Sequence, residues 1–144
     1  KGFDAACVDY MQVQNIITNP VEDFFWRVVR KFSCFPKYMT YNKYVRDITK
    51  HFQAKEKFVP CIGPNFDHSP RSRNRGVILF GSTPQKWLNL CRSLFAKVSF
   101  RKHEENIVVI KSWNEWGEGN YLEPDLQYGK RYIEATRKAL DECK

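Results

Sequence analysis

NIVVIKSWNEWGEG, residues Asn106 to Gly119, changes character at its middle. Ile107, Val108, Val109 and Ile110 are four consecutive branched apolar residues, the pattern of a strand covered on both faces. Directly behind them come two tryptophans, Trp113 and Trp116, and two glutamates, Glu115 and Glu118. A surface loop gains little from large aromatics, and a core gains little from carboxylates. A buried parallel strand that ends in such a cluster reads as the strand of a β/α unit, because those folds present their chemistry outside the C-terminal ends of the strands.

The rest of the chain repeats the alternation. Phe3–Tyr10 reads as a mostly buried strand, and Asn19-Pro20 as the start of an amphipathic helix through VEDFFWRVVRKF. Tyr41–Phe52 has helical spacing. Lys57–Ile62 and Gly76–Phe80 read as strands, the first weakened by Pro60. Ser82 or Thr83 caps a helix with Pro84 in its first turn, and YGKRYIEATRKALDEC closes the chain as another. Gly63–Gly76, rich in turn residues, reads as a mobile loop. About four parallel strands alternating with helices fit either a barrel or an open sheet.

With 144 residues there is room for one domain. No apolar run reaches the ~20 residues that span a bilayer. The chain begins with Lys1 rather than Met, which suggests a piece of something longer. A formal charge of +8 suits anionic partners, but the basic residues are dispersed through RVVRKF, HSPRSRNR, FRKH and GKRYIEATRK. They read as solvated faces, so no specific nucleic acid is expected. Five cysteines without a Cys-x-x-Cys, and three histidines off zinc-ligand spacing, point to no metal and no disulfide framework. Cys7 and Cys61 read as small apolar filler, which favours a reducing, cytoplasmic setting.

Glu115 and Glu118 are three residues apart. In a helical turn their Cβ atoms come within about 5–6 Å on one face. A carboxyl pair so placed can split or form a glycosidic bond, one group protonated as general acid and the other ionised as base or nucleophile. Mutual repulsion and shielding by Trp113 and Trp116 would separate their pKa values. Aromatic faces suit sugar rings, and Asn114 can bond a hydroxyl. The plainer alternative is an exposed glutamate pair beside core tryptophans.

SWNEWGEGNYLEPDLQYGKRYIEA, Ser112–Ala135, is similar to the signature of the WbsX-type proteins, assigned as glycosyltransferases of surface-polysaccharide assembly. Those proteins are themselves similar to family 99 glycoside hydrolases, endo-acting α-mannosidases. GFDAA (Gly2–Ala6) resembles a strand segment of that family, and FDHSPR (Phe66–Arg71) resembles its Trp-Asp-Asn-Thr-Pro-Arg segment. GVILFGSTPQKW (Gly76–Trp87) resembles the strand and helix start between. Phe66 and His68 depart from that pattern, which bears on substrate more than on reaction type. The resemblance implies the C-terminal part of a (β/α)8 TIM-type barrel over residues 1–144. It also implies Glu118 as general acid/base, Glu115 assisting attack by the sugar's own 2-hydroxyl, and no cofactor.

The partners so implied are an oligosaccharide or polysaccharide substrate and, for the open half barrel, its missing N-terminal half or a second copy. Asp4 either faces the barrel interior or begins its strand. Asp67 and Arg71 either bind sugar or form a salt-linked turn around Ser69-Pro70. Glu123-Pro124-Asp125 hold the loop after the catalytic segment and Tyr121 lines the cleft, a structural role being favoured for this group. Trp87 faces a core, and Arg73 and Arg75 are solvated. Two functions remain open: an enzyme that makes or cleaves glycosidic bonds, by transfer or by hydrolysis, and a non-catalytic carbohydrate-binding barrel remnant.

Overall fold

A computed structural model of the protein describes residues 5–9, 20–52, 58–100 and 105–143. Asp4 and Asn19 lie outside them. In chain order the elements are β1 (Ala6–Asp9), α1 (Pro20–Phe32), β2 (Lys37–Thr40), α2 (Tyr41–His51), β3 (Phe58–Ile62), β4 (Phe66–Asp67) and α3 (Ser69–Ser72). A 3-10 turn at Arg73–Arg75 leads into β5 (Val77–Phe80), α4 (Pro84–Val98) and β6 (Val109–Ile110). β7 (Asn114–Glu115) and β8 (Asn120–Tyr121) flank a second 3-10 turn, Trp116–Glu118, before α5 (Arg131–Asp141).

The fold is α/β with parallel pairing. β1, β3 and β6 form one sheet in that order, all parallel. β2 runs parallel to β5, which also pairs antiparallel with β4. A closed barrel pairs successive strands in one wall. Here β6 lies against β3, while β5 belongs to the second sheet. The units are compatible with part of an α/β barrel without themselves closing one.

β1 and β6 are the two edges of their sheet, and this corrects two burial expectations. Ile107 is 50% exposed and Val109 36%, so the apolar run is covered on one side only. Ala6 and Cys7 are likewise exposed. An edge strand lacks the neighbour that would shield its far side. Only Val109–Ile110 pairs as strand, extended by a hydrogen bond from Lys111 N to Ile62 O of 2.8 Å. The Gly63–Gly76 segment is built, not loose. It carries β4 and α3, and bonds from Lys37 N to Gly76 O and from His68 N to Val77 O tie it to the second sheet. Of the two cysteines read as filler, Cys61 is buried and Cys7 is exposed; Cys91 is buried as well, and Cys34 and Cys143 are exposed.

The core forms where α4 meets α2, α5 and the strands. Thr83 caps α4 by accepting from Lys86 N, and Pro84 begins its first turn. Trp87, Leu90, Cys91 and Leu94 then recur at helical spacing and are wholly buried. Trp87 Nε1 donates to Thr136 Oγ1 of α5 at 2.8 Å. Tyr41 and Tyr44 of α2 grip the end of β3: Tyr41 Oη donates to Gly63 O at 3.0 Å, and Gly63 N donates to Tyr44 Oη at 3.2 Å. α1 is amphipathic as read, but its apolar side chains Phe24, Phe25, Val28 and Phe32 are exposed. No helix among the described residues is long and apolar enough to cross a membrane.

Burial raises the pKa of Tyr41 and Tyr44 well above the phenol range, and moves Tyr132 to about 12. It moves the Cys61 thiol to about 12 and raises that of Cys91. These groups fold in their neutral forms, so the unfolded chain loses its protons first. The stability they confer is complete below the unfolded values, 9.0 for the thiols and 10.0 for the phenols, and falls as pH rises through the folded ones. Urea midpoints are expected to drop steadily from pH 9 toward pH 12. A flat or rising midpoint over that window would contradict the burial of these groups.

Candidate active site

The C-terminal ends of β1, β3 and β6 come together. Asp9 ends β1 and Lys111 follows β6, and Lys111 Nζ lies 3.2 Å from Asp9 Oδ2. The same ammonium sits 4.6 Å from the centre of the Phe66 ring. Neither Asp9 nor Lys111 stands out in the sequence. The available signal was that each is the first charged residue after its apolar run.

The segment after β3 supplies the next layer. Asp67 Oδ1 accepts from Ser69 N at 2.9 Å and from Ser69 Oγ at 2.6 Å, which starts α3. This half of the turn forms locally. The expected link to Arg71 does not, because Arg71 reaches across to the glutamates. Its Nη1 lies 2.8 Å from Glu118 Oε1 and its Nη2 3.9 Å from Glu115 Oε1. His68 Nε2 is 3.5 Å from the same Glu118 oxygen, and its ring stacks on Phe66 at 5.7 Å.

Glu115 and Glu118 sit on a β-hairpin tip, not on a helix following the strand. Glu115 pairs with Asn120 in the β7–β8 ladder, and Glu118 closes the 3-10 turn between them. Such a tight turn brings positions i and i+3 nearly into line. The two side chains therefore still converge, on one guanidinium. They differ in shelter: the Glu118 side chain is 13% exposed and that of Glu115 43%. Asn65 Oδ1 anchors the hairpin by accepting from Tyr121 N at 2.9 Å.

The hairpin closes through Gly119, whose φ of 53° is left-handed and whose added Cβ would lie 3.2 Å from Asp67 Cβ. Gly119→Ala should therefore cost about 1–2 kcal/mol from backbone handedness alone. It should also disturb the Asp67 turn. A thermal or urea midpoint unchanged from wild type would show that the turn tolerates a Cβ.

The aromatics divide. Trp116 stacks on Tyr121 with centroids 3.8 Å apart, and its Nε1 donates to Glu123 Oε2 at 2.6 Å, so Glu123 fixes the indole. Trp116 remains half exposed at 49%. Trp113 goes elsewhere: it lines an apolar groove with Leu122, Ile133 and Leu140 on the α5 side. Asn114 is exposed on β7. Beside the hairpin is a hollow of about 250 Å³, walled in part by Asp67, Gly119 and Tyr121. Ser82, Gln127, Tyr128 and Tyr132 also line it; Ser82 stands out in the sequence only as a candidate helix cap, and the other three not at all. Among the described residues, no group of three or more His, Cys, Asp or Glu is placed to hold a metal ion.

A family model described as Glycosyltransferase WbsX matches residues 2–136. The chain belongs to the WbsX glycosyltransferase family. Two curated relatives, each described as "Uncharacterized protein WxcX", come from two strains of Xanthomonas campestris pv. campestris. One is 29% identical over 103 residues, 71% of this chain and 15% of the relative. The other is 31% identical over 96 residues, 66% of this chain and 14% of the relative. The aligned part is thus a small share of the length of those relatives. No solved structure matches. The WbsX match takes in Asp67, Arg71, Glu115 and Glu118, the residues that the folded chain gathers at the hairpin.

Proposed function

We propose that this chain carries the acid/base centre of a carbohydrate-active enzyme that makes or cleaves glycosidic bonds in surface-polysaccharide assembly or processing. The observation that carries this reading is the convergence of Glu115 and Glu118 on Arg71, on a hairpin whose Gly119 and Tyr121 line the neighbouring hollow. The family's glycosyltransferase description supports a carbohydrate substrate. Glu118, the sheltered carboxyl, is the general acid/base at the glycosidic oxygen. Glu115, the open one, assists the attacking hydroxyl. Arg71 lies beside both carboxylates and must loosen from Glu118 Oε1, or leave the proton to Oε2, when Glu118 acts. Trp116 backed by Tyr121 offers a flat face to a sugar ring. The wider reading is a (β/α)8 barrel completed by other chain, acting in the cytoplasm on an oligosaccharide or polysaccharide without a cofactor.

The ion pair of Arg71 with Glu118 favours one alternative, a binding module without turnover. The two are separated by assaying product release from glycan donors and acceptors with the intact protein. Turnover that disappears in Glu115→Gln and Glu118→Gln supports the enzyme. Glycan binding without turnover, unchanged in both variants, supports the module.

A further inference from the structure

The hollow beside the hairpin has a chemical bias that the carboxylate pair does not explain. Ser82 Oγ donates its one hydrogen to Pro64 O. The Tyr132 hydroxyl, 2.8 Å away, must then donate to Ser82 Oγ. Both hydroxyl hydrogens are thereby spent inside the protein, and lone pairs remain. Asp67 Oδ1 is committed to Ser69, and Asp125 Oδ1 accepts from Gln127 N at 2.8 Å and Tyr128 N at 2.5 Å. Each carboxylate keeps a second oxygen that can only accept. Burial holds Tyr132 protonated to about 12, so this inventory persists at any physiological pH.

The hollow is thus lined by two carboxylates and no cationic side chain, with Tyr121 and Tyr128 as aromatic walls. The amides of Asn65 and Gln127 and the two tyrosine hydroxyls add donors that can meet a sugar's oxygens. At about 250 Å³ it is smaller than the ~300–1,000 Å³ of pockets for drug-sized ligands, which suits one ring and no more. A matching ligand brings several O–H donors, a C–H face for the tyrosines, and no anionic group. We infer that this hollow is a subsite for one uncharged pyranose, read through its hydroxyl hydrogens by Asp67, Asp125 and the Ser82–Tyr132 pair. It excludes uronic acids and sugar phosphates. The inference rests on the carbohydrate reading above and adds the charge class of the sugar.

The test uses the intact protein and ligand-observed NMR or calorimetry. The probes are methyl glycosides of glucose, galactose and mannose, the matching uronates, and a hexose 6-phosphate. At least one neutral glycoside should bind about tenfold or more tightly than every anionic probe. Asp67→Asn keeps an oxygen for Ser69 but turns the second acceptor into a donor. It should weaken the neutral sugar about tenfold and narrow the gap to the uronate. Asp125→Asn and Ser82→Ala provide the same readout should Asp67→Asn fail to fold. Anionic probes binding as tightly as neutral ones would overturn the inference. So would neutral binding that none of these substitutions changes, or no sugar binding at millimolar concentration. Sugar binding that depends on Asp67 but comes with no turnover would leave the subsite standing and remove the catalytic reading. Turnover without such binding would do the reverse.

Discussion

Glu118→Gln is expected to lower kcat of the intact protein by about 10²–10⁴-fold, the usual worth of a positioned general acid/base. Glutamine keeps the shape and still accepts a hydrogen bond from Arg71, so the hairpin should survive. The lost ion pair involves an arginine side chain that is 62% exposed, and it should cost about 0–1 kcal/mol of stability. A large fall in kcat beside an almost unchanged unfolding midpoint is the pattern sought. Glu115→Gln should also impair turnover, and the double variant should be little worse than the more damaging single one, because the two groups act as a unit. A Glu118→Gln protein that retains most of its turnover would end the paired-glutamate mechanism. Losses that simply multiply in the double variant would argue that the two act apart.

The largest effect on stability is expected at Trp87. Its ring is wholly buried at the centre of the core, and its Nε1 is bonded to Thr136 Oγ1. Removing it opens a cavity that neighbours on α2, α4 and α5 cannot collapse to fill, so Trp87→Ala should cost about 3–5 kcal/mol. Trp87→Phe keeps most of the volume and loses the N–H donor, so it should cost clearly less. The difference between the two variants measures packing against hydrogen bonding. Chemical denaturation followed by far-UV circular dichroism reads both. A Trp87→Ala cost below about 1 kcal/mol would mean that α4 is not the central helix of the fold.

Much of the secondary structure is legible in the residues. Thr83-Pro84 states where α4 begins, and the spacing of Trp87, Leu90, Cys91 and Leu94 states which face it buries. Asp67, Arg71, Glu115 and Glu118 also stand out as candidates, since polar residues at strand ends have few other uses in a β/α unit. What escaped notice were short elements. β2, β4, β7 and β8 hold two to four residues each, too few for a period to register. The hollow was equally illegible, because Ser82, Gln127, Tyr128 and Tyr132 belong to segments whose own patterns say only helix start, turn and helix.

By itself, then, the order of residues determined the alternation of strands and helices, the faces that α2, α4 and α5 bury, and the side chains competent for acid/base work. Those follow from local periodicity, capping and side-chain type, all short-range properties of a chain. Only the tertiary structure decided that β6 pairs with β3 and leaves Val109 half open, that Trp113 turns away to α5, and that Arg71 leaves Asp67 to hold two glutamates more than forty residues along the chain. Such contacts depend on which distant segments come to lie side by side, and no local pattern encodes a partner.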